Sequence, residues 1–199
     1  MADHTGELAS LIGSRICHDL ISPIGAINNG LELLDLTGAS SGPEMDLISE
    51  SVDNAGARIR FFRIAYGAAG NQDLGANEVR AVLEAMSKGG RLALQWSLQQ
   101  DLPRSVVRLA FLAIQCCETS MPYGGTVTIT NDGDTCSVTG TGSKISVDEP
   151  LWAVLSNPGA GLTPVTPASV QFALLPIYAY ELERRVRVHS TPDAVTIKF

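Results

Sequence analysis

Two apolar stripes at helical spacing, separated by one short break, constrain this chain more than any other feature. From Glu7 to about Leu36, the residues Leu8, Ile12, Ile16, Leu20, Ile24, Ile27, Leu31 and Leu34 recur every three or four positions, which predicts one long amphipathic helix. The run Thr37-Gly38-Ala39-Ser40-Ser41-Gly42 breaks the pattern, and Pro43 suits the first turn of a new helix. In that second helix Met45, Ile48, Val52, Ala55, Ile59, Phe62 and Tyr66 alternate steps of three and four, the heptad signature of a packed seam. The short connection makes the pair antiparallel. A lone hairpin leaves much apolar surface wet, so two copies are expected to pair as a homodimeric four-helix bundle. On the heptads alone, a plain dimerisation stalk is the more ordinary outcome.

The rest of the chain excludes several classes. At 199 residues it holds one large domain or two small ones, with the 45% apolar content of a folded protein. A formal charge of −7 opposes general nucleic-acid binding, because phosphate backbones are held by clustered Lys and Arg. No apolar run approaches the roughly 20 residues that cross a bilayer, and the start, Met1-Ala2-Asp3-His4-Thr5-Gly6-Glu7, lacks a signal pattern, so a cytoplasmic protein without membrane contact is expected. Cysteines 17, 116, 117 and 136 form no Cys-x-x-Cys pair and have no histidine cluster beside them, which argues against structural zinc. Cys17 reads as a small apolar filler.

Stepping about 100° per residue centres the first stripe near Ile27 and turns His18 to the opposite, solvent side. Ser14, Ser22, Gly25 and Asn29 share that side, a small and polar surface that another protein can approach. Neutral imidazole is a competent nucleophile near pH 7, so His18 can accept a phosphoryl group. Asp19 is placed to hold a ring proton, although an Asp beside an exposed His is more often solvation. Arg15 lies one turn before His18, and a reversal near residue 40 brings Arg58, Arg60 and Arg63 to about its height, where they can balance phosphoryl charge or simply form a solvated flank. Pro23, Gly25 and Gly30 weaken the helix nearby, through either a kink that displays the histidine or imperfect packing. His4, near the terminus, and His189, near a C-terminal strand, lack an adjacent carboxylate.

The run His18-Asp19-Leu20-Ile21-Ser22-Pro23 resembles the phosphoacceptor box of two-component histidine kinases, and the longer string from Ser14 to Leu34 resembles the ChpT-type histidine phosphotransferases of alphaproteobacteria more closely. The resemblance implies an α plus α/β fold in two parts. Residues 1–70 would be the dimerisation and phosphoacceptor hairpin, and residues 72–199 an α/β sandwich shaped like a kinase ATP-binding domain but without nucleotide binding. It also implies phosphoryl shuttling on His18, with Asp19 as orienting partner. Partners would be the receiver domain of a hybrid histidine kinase upstream and response-regulator receivers downstream. No cofactor belongs to this chain itself, and Mg²⁺ is expected in the receiver's acidic pocket.

The second half fits that outline. After Gly67-Ala68-Ala69-Gly70-Asn71, Asn77 is placed to cap a helix through about Lys88, Arg91 to Leu98 reads as a strand, and Pro103 opens an apolar helix through Glu118. Thr126 to Thr130 and Thr135 to Thr139 flank Asn131-Asp132-Gly133-Asp134 as a hairpin; Ala168 to Arg185 reads as helix, with strands near 186–189 and 194–199. Pro122-Tyr123-Gly124-Gly125 resembles the segment after the kinase asparagine box, which puts Cys116 at the asparagine's place, and a thiol is a poor partner for magnesium. Val138-Thr139-Gly140-Thr141-Gly142 lacks the aspartate of the first glycine box, and Gly159-Ala160-Gly161-Leu162, crowded by Pro158, Pro164 and Pro167, reads as a loop. The competing functions are an ATP-using histidine kinase fragment and a non-enzymatic dimeric scaffold.

Overall fold

A computed structural model describes residues 2–37, 42–68, 70, 72–156 and 165–199. The break at 38–41, Ala69 and Asn71 of the link, and the Gly159-to-Leu162 loop with Pro158 and Pro164 lie outside the described residues.

Helix α1 (Ala2–Thr37) and helix α2 (Pro43–Ala65) form the hairpin. Pro43 occupies the first turn of α2, where its missing N–H costs nothing, and Glu44 and Asp46 there face the positive end of the helix dipole. Gly30 explains itself: a Cβ at that position would come within 2.5 Å of Ile48 Cγ1, so glycine lets the two helices approach. Gly25 has open space around it and needs a different reason.

The two apolar stripes are not each buried as one face. Leu8, Leu11, Ile12 and Ile16 pack on the core, whereas Ile24 and Leu31 are about half exposed. In α2, Phe62 is buried and Tyr66 partly so, but Met45, Val52 and Ile59, spaced seven apart, remain exposed. The periodicity had merged two surfaces, because a helix with neighbours on two sides carries apolar residues toward both. Phe61, outside the heptad, also joins the halves: it stacks on Phe111 with ring centroids 4.6 Å apart.

Beyond the link run β1 (Asp73–Leu74), α3 (Ala76–Ser87), β2 (Leu92–Trp96), β3 (Leu102–Pro103), α4 (Arg104–Ser120), β4 (Gly125–Asp132), β5 (Thr135–Thr141), α5 (Glu149–Ser156), a 3₁₀ turn at Pro167–Ser169, α6 (Gln171–Glu181), β6 (Arg187–Ser190) and β7 (Ala194–Lys198). Five strands form one sheet in the order β2-β4-β5-β7-β6, with β2 parallel to β4 and the other pairs antiparallel. Helix α4 is buried almost throughout from Val106 to Cys117, and it packs on the sheet, on α6 and on the end of α2. The result is a mixed fold, a helical hairpin joined to an α/β layer.

Two local expectations change, and one helix is added. Asn77 does not cap α3; the cap position is Gly75, and Asp101 Oδ1 accepts the Ala76 N–H at 3.1 Å from the end of the β1–β3 ladder, while Asn77 accepts from Arg80. The segment from Ala168 is a 3₁₀ turn followed by a shorter helix. Helix α5 was not foreseen, although Asp148 accepting the Leu151 N–H before an apolar run is a cap signature. The β4–β5 hairpin is as expected: Gly133 takes φ +59° and Asn131 donates its side-chain N–H to the Gly133 carbonyl.

Candidate phosphoacceptor site

His18 lies midway along α1 with 84% of its side chain exposed. Its Nδ1 lies 3.1 Å from Asp19 Oδ1, and Nε2 has no hydrogen-bond partner among the described residues. With the proton on Nδ1, the ring donates to Asp19 and the Nε2 lone pair points to solvent. Asp19 is itself held, because Arg15 Nε donates to its Oδ2 at 2.7 Å along the same helix face. Side-chain exposures of 15% for Arg15 and 12% for Asp19 set a fixed ion pair beneath a free imidazole. Pro23 has no N–H to give the Asp19 carbonyl, so the helix ladder has a gap one turn beyond the histidine. Ser22 is exposed, as are Ser14 and Asn29, leaving small groups around the ring.

The arginines separate into two places. Arg15 and Arg58 line the groove that runs from Asp19 to the α/β part, where Arg91, Gln115 and Glu118 close the other wall. Arg58 is oriented by Asn54, whose Oδ1 accepts its Nε–H at 2.9 Å. Arg60 and Arg63 do not join them. They line a second groove with Glu78 and Arg104, because at about 100° per residue Arg60 and Arg63 stand about 200° and about 140° around the helix from Arg58. Equal height along the hairpin fixed the level and not the face. His189 lies exposed in β6, and His4 falls within α1.

Sequence reasoning did not find Arg91 or Gln115 at the groove, nor the Tyr66 hydroxyl behind Gln115. The Tyr66 hydroxyl donates to Gln115 Oε1 at 2.8 Å, and burial, opposed by the nearby Arg15 charge, pushes its pKa up. Such partners belong to different elements, and no spacing in the chain reveals them.

The kinase-like boxes carry apolar packing. Cys116 is fully buried in α4, and desolvation holds its thiol protonated well above the usual range. Met121, also fully buried, fills the space over Gly125 and Gly140, where an added Cβ would meet its Cε and its Sδ at 2.7 Å. Gly140 therefore serves packing on a methionine, and Gly142 the close approach of the Gly124 carbonyl.

The histidine phosphotransferase C-terminal domain family matches residues 76–194. Protein phosphotransferase ChpT of Brucella abortus (strain 2308) is 32% identical over 196 residues, 95% of this chain and 93% of that protein. The chain belongs to the ChpT-type histidine phosphotransferases. A solved bacterial phosphotransferase shares the fold with a TM-score of 0.78 at 32% identity, covering 96% of this chain and 95% of that one. As a member of that family the protein is a phosphorelay phosphotransferase and not an ATP-dependent kinase. No helix of the described residues is long and apolar enough to cross a membrane.

Proposed function

We propose that His18 is the phosphoacceptor and that the group passes between aspartates of receiver domains. The lone pair on Nε2 attacks the phosphorus of an aspartyl phosphate; the new P–N bond forms as the P–O bond to the aspartate breaks, and the receiver's carboxylate leaves. The imidazole becomes cationic during attack, and Asp19 stabilises that charge through Nδ1. Reversal of the step delivers the group to a second receiver. Mg²⁺ held in the receiver's acidic pocket would compensate the phosphoryl charge, and on this side Arg15 and Arg58 line the groove that begins at Asp19.

Upstream the donor is the receiver domain of a hybrid histidine kinase, and downstream the acceptors are response-regulator receivers, all in the cytoplasm. Two copies pair through the exposed stripe of Met45, Val52 and Ile59 with Ile24 and Leu31, forming a four-helix bundle that leaves His18 outward. The α/β part adds contact area for the receiver and binds no nucleotide.

The observation that carries this reading is one imidazole, solvent-facing on Nε2 and held by a carboxylate on Nδ1. Its test is transfer from a phosphorylated receiver to wild type and to His18→Ala, with ATP alone as control. Acid-labile label is expected on wild type only and from the receiver only. Label from ATP alone would restore the kinase reading, and phosphoryl flow unchanged in His18→Ala would restore the scaffold.

A further inference from the structure

We infer that the α/β domain sets the ring orientation and tautomer of His18 through a strut, the Arg15 guanidinium held between Asp19 and the backbone carbonyl of Ala168. The inference rests on the reading of His18 as the acceptor and assigns Arg15 the part of a positioning residue.

The guanidinium is engaged on two sides. Nε donates to Asp19 Oδ2 at 2.7 Å, and Nη1 donates to the Ala168 carbonyl at 2.6 Å, a contact across 153 residues of chain. Asp19 divides its oxygens between Arg15 and the His18 Nδ1. A carboxylate held on one oxygen presents the other at a fixed angle, so the imidazole proton is directed to Nδ1 and the nucleophilic lone pair to Nε2. Released from Arg15, the carboxylate rotates freely on its own side chain, and the exposed imidazole has no other partner to choose its tautomer.

The far end of the strut is rigid. Ala168 lies in the 3₁₀ turn Pro167–Ser169, where Thr166 N donates to Ser169 Oγ at 2.9 Å and Ser169 N donates to the Thr166 carbonyl at 3.0 Å. The Ala168 carbonyl also accepts from Gln171 Nε2 at 3.2 Å. Gln171 is fully buried, and the same amide reaches Thr119 Oγ1 of α4 at 3.1 Å. A continuous polar path therefore links the core of the α/β domain to the imidazole. Only a planar fork spans it; a lysine ammonium at position 15 can pair with Asp19 but cannot hold both acceptors in this geometry.

The experiment uses full-length protein with isotope-labelled histidine. Nitrogen-detected proton correlation gives the His18 tautomer, assigned by the signal lost in His18→Ala, and transfer kinetics from a phosphorylated receiver give the maximal rate and KM. Arg15→Lys and Arg15→Gln are both expected to shift His18 toward mixed tautomers and to lower the maximal rate about tenfold, with KM changed less than about twofold. Ser169→Ala, which loosens the turn and removes hydrogen bonds to Thr166 alone, is expected to move both readouts the same way by about threefold. Arg15→Lys keeping the wild-type tautomer and rate would overturn the strut, since charge alone would then suffice. A tautomer that follows Arg15 in a protein whose His18 takes no label would support the strut and overturn the acceptor reading.

Discussion

Ile59→Asp tests the pairing face directly. Ile59 is 53% exposed, Val52 51%, Leu31 50%, Ile24 49% and Met45 41% in a single chain, so covering each hides about half a side chain. Full burial of such a residue is worth about 1.5–3 kcal/mol, which puts each half at about 1 kcal/mol and the five on two chains at about 10 kcal/mol. Association costs on the order of 4–15 kcal/mol, so the proposed pairing would have little surplus and would respond to single changes. A two-fold interface contains every substitution twice. Ile59→Asp thus removes about 2 kcal/mol of apolar burial, about 30-fold in the dimer constant, before the cost of dehydrating two carboxylates, which carries the total beyond about 100-fold. Sedimentation across a concentration series measures this, with Tyr180→Asp as control because Tyr180 is an exposed aromatic in α6, far from the hairpin stripe in the chain. Wild-type dimerisation by Ile59→Asp, or equal weakening by Tyr180→Asp, would refute the assignment of this face.

Asp19→Asn keeps the shape but leaves one acceptor oxygen where the carboxylate had two, so the Arg15 Nε–H and the His18 Nδ1–H are no longer both accepted; the maximal transfer rate is expected to fall about tenfold in the phosphorylated-receiver assay while the fold persists by circular dichroism. Gly124 has φ +78°, and a methyl there would collide with the Arg91 carbonyl; Gly124→Ala is expected to lower stability by about 2 kcal/mol or more in urea unfolding. Burial pushes the Cys117 and Cys136 thiols up from 9.0 to about 12. In that window the native state keeps protons that the unfolded chain has lost, so their contribution is fully present below about pH 9 and declines as pH rises toward 12, by up to about 1.4 kcal/mol per pH unit per thiol. Urea midpoints measured from pH 8 upward should fall less steeply in a Cys117→Ala/Cys136→Ala double variant than in wild type.

The hairpin, its turn at Pro43 and the outward face of His18 were legible because each depends on residues within a few turns of one another. The same holds for the β4–β5 hairpin, whose turn residues and alternating strands are adjacent in the chain. The grouping of arginines was not legible: position along an antiparallel hairpin follows from counting, but the face that Arg60 and Arg63 present depends on how α3 packs against α2. Met121 on Gly140 and the Asp101 cap on Ala76 were likewise invisible, since each joins elements that the chain separates.

By itself the sequence determined two amphipathic helices, an exposed histidine with a carboxylate beside it, and the family through the run around His18. Periodicity and nearest neighbours are local quantities, and the chain states them outright. Only the tertiary structure decided which half of each stripe meets the core and which stays bare, that Phe61 from outside the heptad stacks on Phe111 across the two halves, and that a backbone carbonyl at Ala168 reaches Arg15. A backbone carbonyl carries no side-chain signature, and its direction is fixed by the turn that holds it, so only folding reveals its partner.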